Sequence, residues 1–508
     1  MTGSRMDRRQ FVQSAGALSL LGSAAPLALQ LAAAGEAAAQ SAPDYKALVC
    51  IFLFGGNDAH NMLLATDTDS WTRYQAARNT GADPIALRAV GTAADPNAGL
   101  ATPARWGGVL PIVPRTVQPL TSGGGVGQPR TFAVHPHMPG VQTLFGQNRL
   151  AAVANVGPLL RPTTKAQYLA RSVPLPANLF SHNDQQSVWQ AGQVEGARAG
   201  WGGRMGDMLA SGNGGAALFT AISTAGNAVF LSGRDIIQYQ ISTGATPAIS
   251  VNGGTATSLF GSSTAPARLR EIIQGQTANH WMQSDHARVV DRSMASAATL
   301  NAAFAGVTAG VAAPPAFTNP ITAAVETNGL AVQLQAVARM IASSNTLGTK
   351  RQVFFVSLGG WDTHDLQNRN QAANLARVSH ALAYFDSVLG NLNGVNRRAQ
   401  VTTFTASDFG RTFNTNGDGT DHAWGSHQFV SGGAVNGGDI YGAYPTIGID
   451  AFGFNNPDMV SSSGHLIPKI SVDQYAATMG AWLGVPAAEL ATIFPNLSHF
   501  DRPNLGFV

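Results

Sequence analysis

The run Ala47-Leu48-Val49-Cys50-Ile51-Phe52-Leu53-Phe54 is apolar without a break and stops at Gly55-Gly56-Asn57-Asp58. A strand with one wet face alternates polar and apolar residues. An unbroken run closed by glycines instead predicts a strand buried on both faces, as in parallel sheets. Asp58 then falls just past its carboxyl end, where open α/β sheets bind ligands. Three more runs read the same way, at residues 150–156, 352–358 and 400–406. The third leads into Gly359-Gly360-Trp361-Asp362-Thr363-His364, and the fourth into Ser407-Asp408-Phe409-Gly410-Arg411. Between these two, Leu375, Val378, Leu382, Phe385 and Leu389 recur at spacings of three and four, predicting an amphipathic crossover helix over 370–392. Strand, helix and strand in this order predict an α/β fold with a mostly parallel sheet flanked by helices. A C-terminal helix is expected over 473–483, with Asp473 as its N-cap.

The middle of the chain differs. Residues 205–265 are rich in Gly, Ser, Thr and Ala, with short β-prone pieces such as Ala228-Val229-Phe230-Leu231, and 266–345 read as helical with a break near Pro314-Pro315. This stretch, about 205–345, is expected to be an insertion or cap on a single domain over 40–508. Residues 1–39 resemble a twin-arginine export signal: Arg8-Arg9 precede Phe11, then a mildly apolar stretch, then Ala37-Ala38-Ala39 as an A-x-A-like cleavage site. The expectation is therefore export by the twin-arginine translocase to the periplasm or the medium. No later stretch is long and apolar enough to predict a membrane span.

Charged residues make up 12% of the chain, about half the usual share of roughly 25%. The formal charge is +3, and Arg5, Arg8 and Arg9 against Asp7 and Glu36 place +1 of it before residue 40, leaving +2. So small a charge gives no electrostatic footprint for nucleic acid or an anionic membrane. The single cysteine, Cys50, excludes an internal disulfide.

Against this sparse background the carboxylates and imidazoles of three short loops stand out: Asp362 and His364, Asp408, then Asp421, His422 and His427. Their oxygen and nitrogen donors suit a divalent ion. Asp58 joins them as a candidate ligand, although Gly-Gly-Asn-Asp is also good turn chemistry. Asp408 could instead pair with Arg411. His135-Pro136-His137 and Asp285-His286 are read as structural and as an exposed pair. The run Ser122–Gly127 lacks the lysine and context of a phosphate loop.

The order Gly-Gly-Asn-Asp, Gly-Gly-Trp-Asp-Thr-His, Ser-Asp-Phe-Gly-Arg-Thr and Asp-His-Ala-Trp-Gly-Ser-His resembles an uncharacterised family of exported bacterial proteins within the alkaline phosphatase/sulfatase superfamily. Gly200–Arg204, Ser181–Gln185 and Asp473–Thr478 extend the resemblance over nearly all of residues 40–508. It implies an alkaline phosphatase-like fold and one or two divalent ions, zinc first, with manganese or calcium as alternatives. Asp58 would bridge metal and nucleophile, and Asp362 and His364 would be ligands. The superfamily then has Asp-His where this chain has Asp408-Phe409, so His422 would supply the missing ligand and His427 or His422 the last one. Asp421 would be a ligand or support one.

With two ions, an in-line displacement at phosphorus or sulfur becomes the expected chemistry. The nucleophile would be Ser181, just before His182 and a helix start, or Thr163 or Thr164; the second ion or His182 would assist the leaving group. Arg161, Asn57 and Arg411 are the candidate substrate-binding residues for a small anionic ester. The rival expectation is a non-catalytic exported protein that binds or assembles with an exported partner and retains the fold with at most a residual metal site.

Overall fold

The computed structural model describes residues 45–120, 127–244, 258–274, 280–448 and 456–508. The export signal expected at 1–39 and most of the glycine run at 122–127 lie outside the described residues.

The core is a nine-stranded sheet. Its strands are β1 (Lys46–Leu53), β2 (Leu150–Gly157), β3 (Ala221–Ser223), β4 (Tyr239–Gln240), β5 (Arg351–Leu358), β6 (Val401–Ser407), β7 (Ser426–Ser431), β8 (Ile440–Tyr441) and β9 (Ile470–Ser471). The spatial order is β8-β2-β7-β6-β1-β5-β3-β4, with β9 also on β2. β1 lies at the centre, parallel to β5 on one side and β6 on the other. β7 alone runs antiparallel, between β6 and β2. The protein is thus α/β, with a mixed, mostly parallel sheet.

Helices cover both faces: α1 (Thr68–Arg78), α2 (His182–Ala191), α3 (Trp201–Leu209), α4 (Gly329–Ala342), α5 (Gln367–Gly390) and α6 (Val472–Leu483). The unbroken apolarity of β1 follows from this. Ala47, Val49, Ile51 and Leu53 pack into one core with Leu334 and Val337 of α4 and Leu382 and Phe385 of α5. Leu48, Cys50 and Phe52 pack into the other with Met205 of α3 and Tyr475 and Met479 of α6. Each buried aliphatic or aromatic side chain contributes about 1.5–3 kcal/mol, an upper figure because the unfolded chain already hides some surface.

Some expectations shift. β7 takes the place of the short loop expected to hold His427, since Ser-His-Gln-Phe-Val-Ser lacks a strand's apolar signature. It is nonetheless buried, and two of its side chains accept bonds there: Thr405 Oγ1 donates to Gln428 Oε1 at 2.8 Å, and Asn155 N donates to His427 Nδ1 at 3.0 Å. Val229–Leu231 is a 3₁₀ turn rather than β structure. β3 and β4, within the region read as an insertion, extend the central sheet next to β5. Helices Ala265–Gln274 and Trp281–Ala305 follow them, and Asp285 pairs with Arg288 on the exposed surface. The cap of α6 is Ser471, in a reciprocal capping box with Gln474; Asp473 lies inside the first turn. Among the described residues no helix is long and apolar enough to cross a membrane.

Because β2, β1, β5 and β6 are parallel, their carboxyl ends share one edge, and the amino end of β7 meets them there. The loops after β1, β5 and β6, the loop before β7 and the start of α2 converge on that edge.

Candidate metal centre

His182 opens α2, Asp362 and His364 follow β5, and His422 precedes β7. The three imidazoles share one arrangement. His182 Nδ1 lies 2.7 Å from Asp408 Oδ2, and His364 Nδ1 lies 3.1 Å from Asp421 Oδ1. His422 Nδ1 lies 2.7 Å from the Phe180 carbonyl. A carbonyl or carboxylate only accepts, so each Nδ1 carries a proton, and a ring in its neutral form presents a bare Nε2.

Those Nε2 atoms gather on Asp362. His364 Nε2 is 3.0 Å and His422 Nε2 3.3 Å from Asp362 Oδ1, and His182 Nε2 is 3.4 Å from Oδ2. His364 Nε2 and His422 Nε2 stand 2.9 Å apart. Two lone pairs at that distance repel unless a proton or a metal cation lies between them. His182 Nε2 is buried without a hydrogen-bond partner. Donor atoms of His182, Asp362 and His422 all lie within 4.8 Å of one another. This donor set fits a borderline cation such as zinc, and the Nδ1 partners are those that orient ligating histidines.

The hydrogen bond that His182 donates to Asp408 raises the His182 pKa against burial, with the charges of Asp408 and Asp362 adding to it, which favours a second proton that a cation at Nε2 would have to displace. Burial pushes the Asp362 carboxyl up, yet the bond and charge of Arg411, with His364 and His182 beside it, hold it below the ordinary range. Burial keeps His422 below its ordinary value, hence neutral.

A buried frame sets these positions. Arg411 donates to Asp362 Oδ1 at 2.7 Å and to the Thr420 carbonyl. Thr420 and Thr363 both donate to Gln367 Oε1, at 2.6 and 3.2 Å, and Gln367 Nε2 donates to Asp58 Oδ2 at 2.6 Å. Arg78, fully buried, grips Asp58 through two bonds of 2.5 and 3.0 Å and donates to the carbonyls of Thr412 and Phe413. Gly55 is required where the loops touch: at φ +122°, a Cβ there would lie 2.4 Å from Asp362 N. Phe180 adopts φ +75°, an outlier for a bulky residue, and its carbonyl is the one that orients His422.

Several expected residues therefore take other places. Asp58 is no ligand: it is fully buried, and Arg78, Gln367 and the His60 amide occupy its oxygens. His427 faces the core instead, stacked on Tyr444 at 4.7 Å, because β7 turns it inward. Asp408 and Asp421 support histidines. Arg411 is buried and spent on Asp362, and Asn57 is buried under the loop, its amide on Ser407 Oγ at 2.9 Å.

None of the expected nucleophiles is directed at the cluster. Ser181 Oγ donates to Asp184 at 2.8 Å, Thr163 Oγ1 to the Arg161 carbonyl at 3.0 Å, and Thr164 caps the helix Lys165–Ala170. Among the described residues no hydrogen bond or ion pair joins Arg161 to the centre. His135 and His137 are packed around Trp106.

Three contributors escaped the sequence reading. Gln186 donates to Asp408 Oδ2 at 2.7 Å, and its spacing of four from His182 could have revealed it. Arg78 and Gln367 carry no local signal, since their partners are distant in the chain. Phe409, where the resemblance implied a histidine, packs its ring against His182 at 4.8 Å and His422 at 4.5 Å. No curated protein matches the chain. Residues 45–489 match the family described as "Protein of unknown function (DUF1501)", and the chain belongs to that family.

Proposed function

We propose that this chain is a metal-dependent hydrolase of phosphate or sulfate esters, with a fold of the alkaline phosphatase type. The carrying observation is the convergence of three Nδ1-anchored imidazoles on Asp362. A divalent ion at His182, His364, His422 and Asp362, zinc in the first instance, would polarise an ester oxygen and make water more acidic. One ion rather than two is proposed, because Asp58 and His427 are committed elsewhere. Asp408 and Gln186 hold the His182 ring, and Arg411 keeps Asp362 ionised. With Ser181 and Thr163 hydroxyls engaged, water is the attacking group. On this reading the protein is exported by the twin-arginine route suggested by Arg8-Arg9.

The engaged hydroxyls also favour a second reading, a non-catalytic exported protein that binds or assembles with a partner through the same ion-bearing surface. Elemental analysis after dialysis against zinc, joined to assays with aryl phosphates and aryl sulfates, separates the two. The hydrolase predicts about one ion per chain and a turnover that both vanish in His422→Ala. Bound ion without turnover favours the second reading. No stoichiometric ion with zinc, manganese or calcium defeats the hydrolase and leaves the non-catalytic protein, without its ion.

A further inference from the structure

A cleft of about 600 Å³ opens outside the metal centre, beside the small antiparallel sheet of Leu63–Ala65, Leu110–Ile112 and Phe132–Val134. Trp71, Ile112, Val113, Val117 and Phe132 supply apolar wall. Two of these valines are left in water at the rim, Val113 84% and Val117 68% exposed. The volume is that of a small-molecule site, and unsheltered aliphatics around a cleft mark a place for an apolar ligand.

The cleft has one cationic wall residue, Arg130, itself 7% exposed. Its guanidinium meets only neutral acceptors: Nη1 donates to the carbonyls of Tyr444 and Pro445 at 3.0 and 2.9 Å, and Nη2 reaches Thr446 Oγ1 at 3.4 Å. Nε has no hydrogen-bond partner, and among the described residues no carboxylate lies within ion-pair distance. A buried cation with no carboxylate in contact is costly, and a carboxylate entering the cleft would offset that cost.

Asp67, Asp69 and Asp458 act on Arg130 from farther away. Asp67 caps Ser70, Asp69 pairs with Arg73 and Asp458 with Lys469. Their field opposes added negative charge, and a dianion more than a monoanion.

We propose that this cleft binds a small monocarboxylate with an aliphatic or aryl tail. The carboxylate sits on the Arg130 guanidinium where it lines the cleft, at Nη2, and the tail lies over Trp71, Ile112, Phe132 and the rim valines. This proposal is independent of the metal centre.

Isothermal titration of the full chain with octanoate and 4-phenylbutyrate, with octanol and octyl phosphate as controls, tests it. Saturable 1:1 binding of both carboxylates is expected, with octanol and octyl phosphate weaker by roughly tenfold or more. Arg130→Lys, which keeps the charge but loses the planar fork, is expected to weaken octanoate by a similar factor. Should that variant fail to fold, Val113→Glu, on the exposed rim, is expected to weaken octanoate by charge repulsion. Asp362→Ala is expected to leave binding unchanged. No saturable binding at millimolar octanoate, octanol binding as well as octanoate, or binding unmoved in the folded variants would overturn the proposal.

Discussion

A fully buried carboxylate steers a ring at the surface: Asp408 Oδ2 lies 2.7 Å from His182 Nδ1, while His182 Nε2, 3.4 Å from Asp362, has no hydrogen-bond partner. A proton is held on Nδ1, and the lone pair of Nε2 in the neutral ring is the one on which the proposed cation site rests.

Replacing Asp408 by Asn keeps the volume but removes the charge that favours the ligating tautomer. Asp408→Asn is expected to weaken zinc binding by about 10–100-fold, the usual cost of losing such a partner. Competition with a chromogenic chelator measures it, with circular dichroism as the check on folding. Unchanged affinity would mean that the pair plays no part in metal binding.

Arg78 and Asp58 are both fully buried, so removing one strands the other's charge. Arg78→Met is expected to lose about 3–5 kcal/mol of stability. Urea unfolding reads this directly. A loss below about 1 kcal/mol would show that the loops after β1 and β6 are held by other contacts.

Burial pulls the His427 pKa down to about 3, from 6.5 in the unfolded chain. A depressed folded pKa gives stability that is complete above about 6.5 and is lost as pH falls toward 3. The loss reaches roughly 4–5 kcal/mol at most. His427→Gln, which can still accept from the Asn155 amide, is expected to flatten the acid limb of a stability profile between pH 6.5 and 4. An unchanged limb would place acid sensitivity in other groups.

Burial pushes the Asp473 carboxyl up to about 6, against its bonds to Asn496. A raised folded pKa gives a contribution that is complete below about 3.8 and fades as pH rises through 6, about 3 kcal/mol in all. Asp473→Asn is therefore expected to be more stable than the parent at pH 8, with the gap closing near pH 4. Thermal unfolding across pH decides it, and equal midpoints at both ends would contradict the assignment.

Much of the frame was legible in the chain itself. Apolar runs at 47–54, 150–156, 352–358 and 400–406 became β1, β2, β5 and β6 because a strand covered by helices on both faces has no polar face to write. The spacing of Leu375 to Leu389 became α5 for the corresponding reason in a helix. β7 was hidden, since polar side chains on it are buried against partners such as Thr405 and Asn155, which are remote in sequence.

The division within the centre follows the same line. Local sequence determined which chemistry was available: imidazoles and carboxylates concentrated in loops at the ends of buried strands. Only the tertiary structure decided their roles. An aspartate gathers imidazoles, orients one or clamps a loop according to which donors reach its oxygens, and those donors come from elsewhere in the chain: Arg411 to Asp362, His182 to Asp408, Arg78 to Asp58. Antiparallel β7 turned His427 into the core and left His422, before the strand begins, to face the centre. Strand direction and long-range hydrogen bonds are properties of the packed chain, and no window of sequence contains both partners.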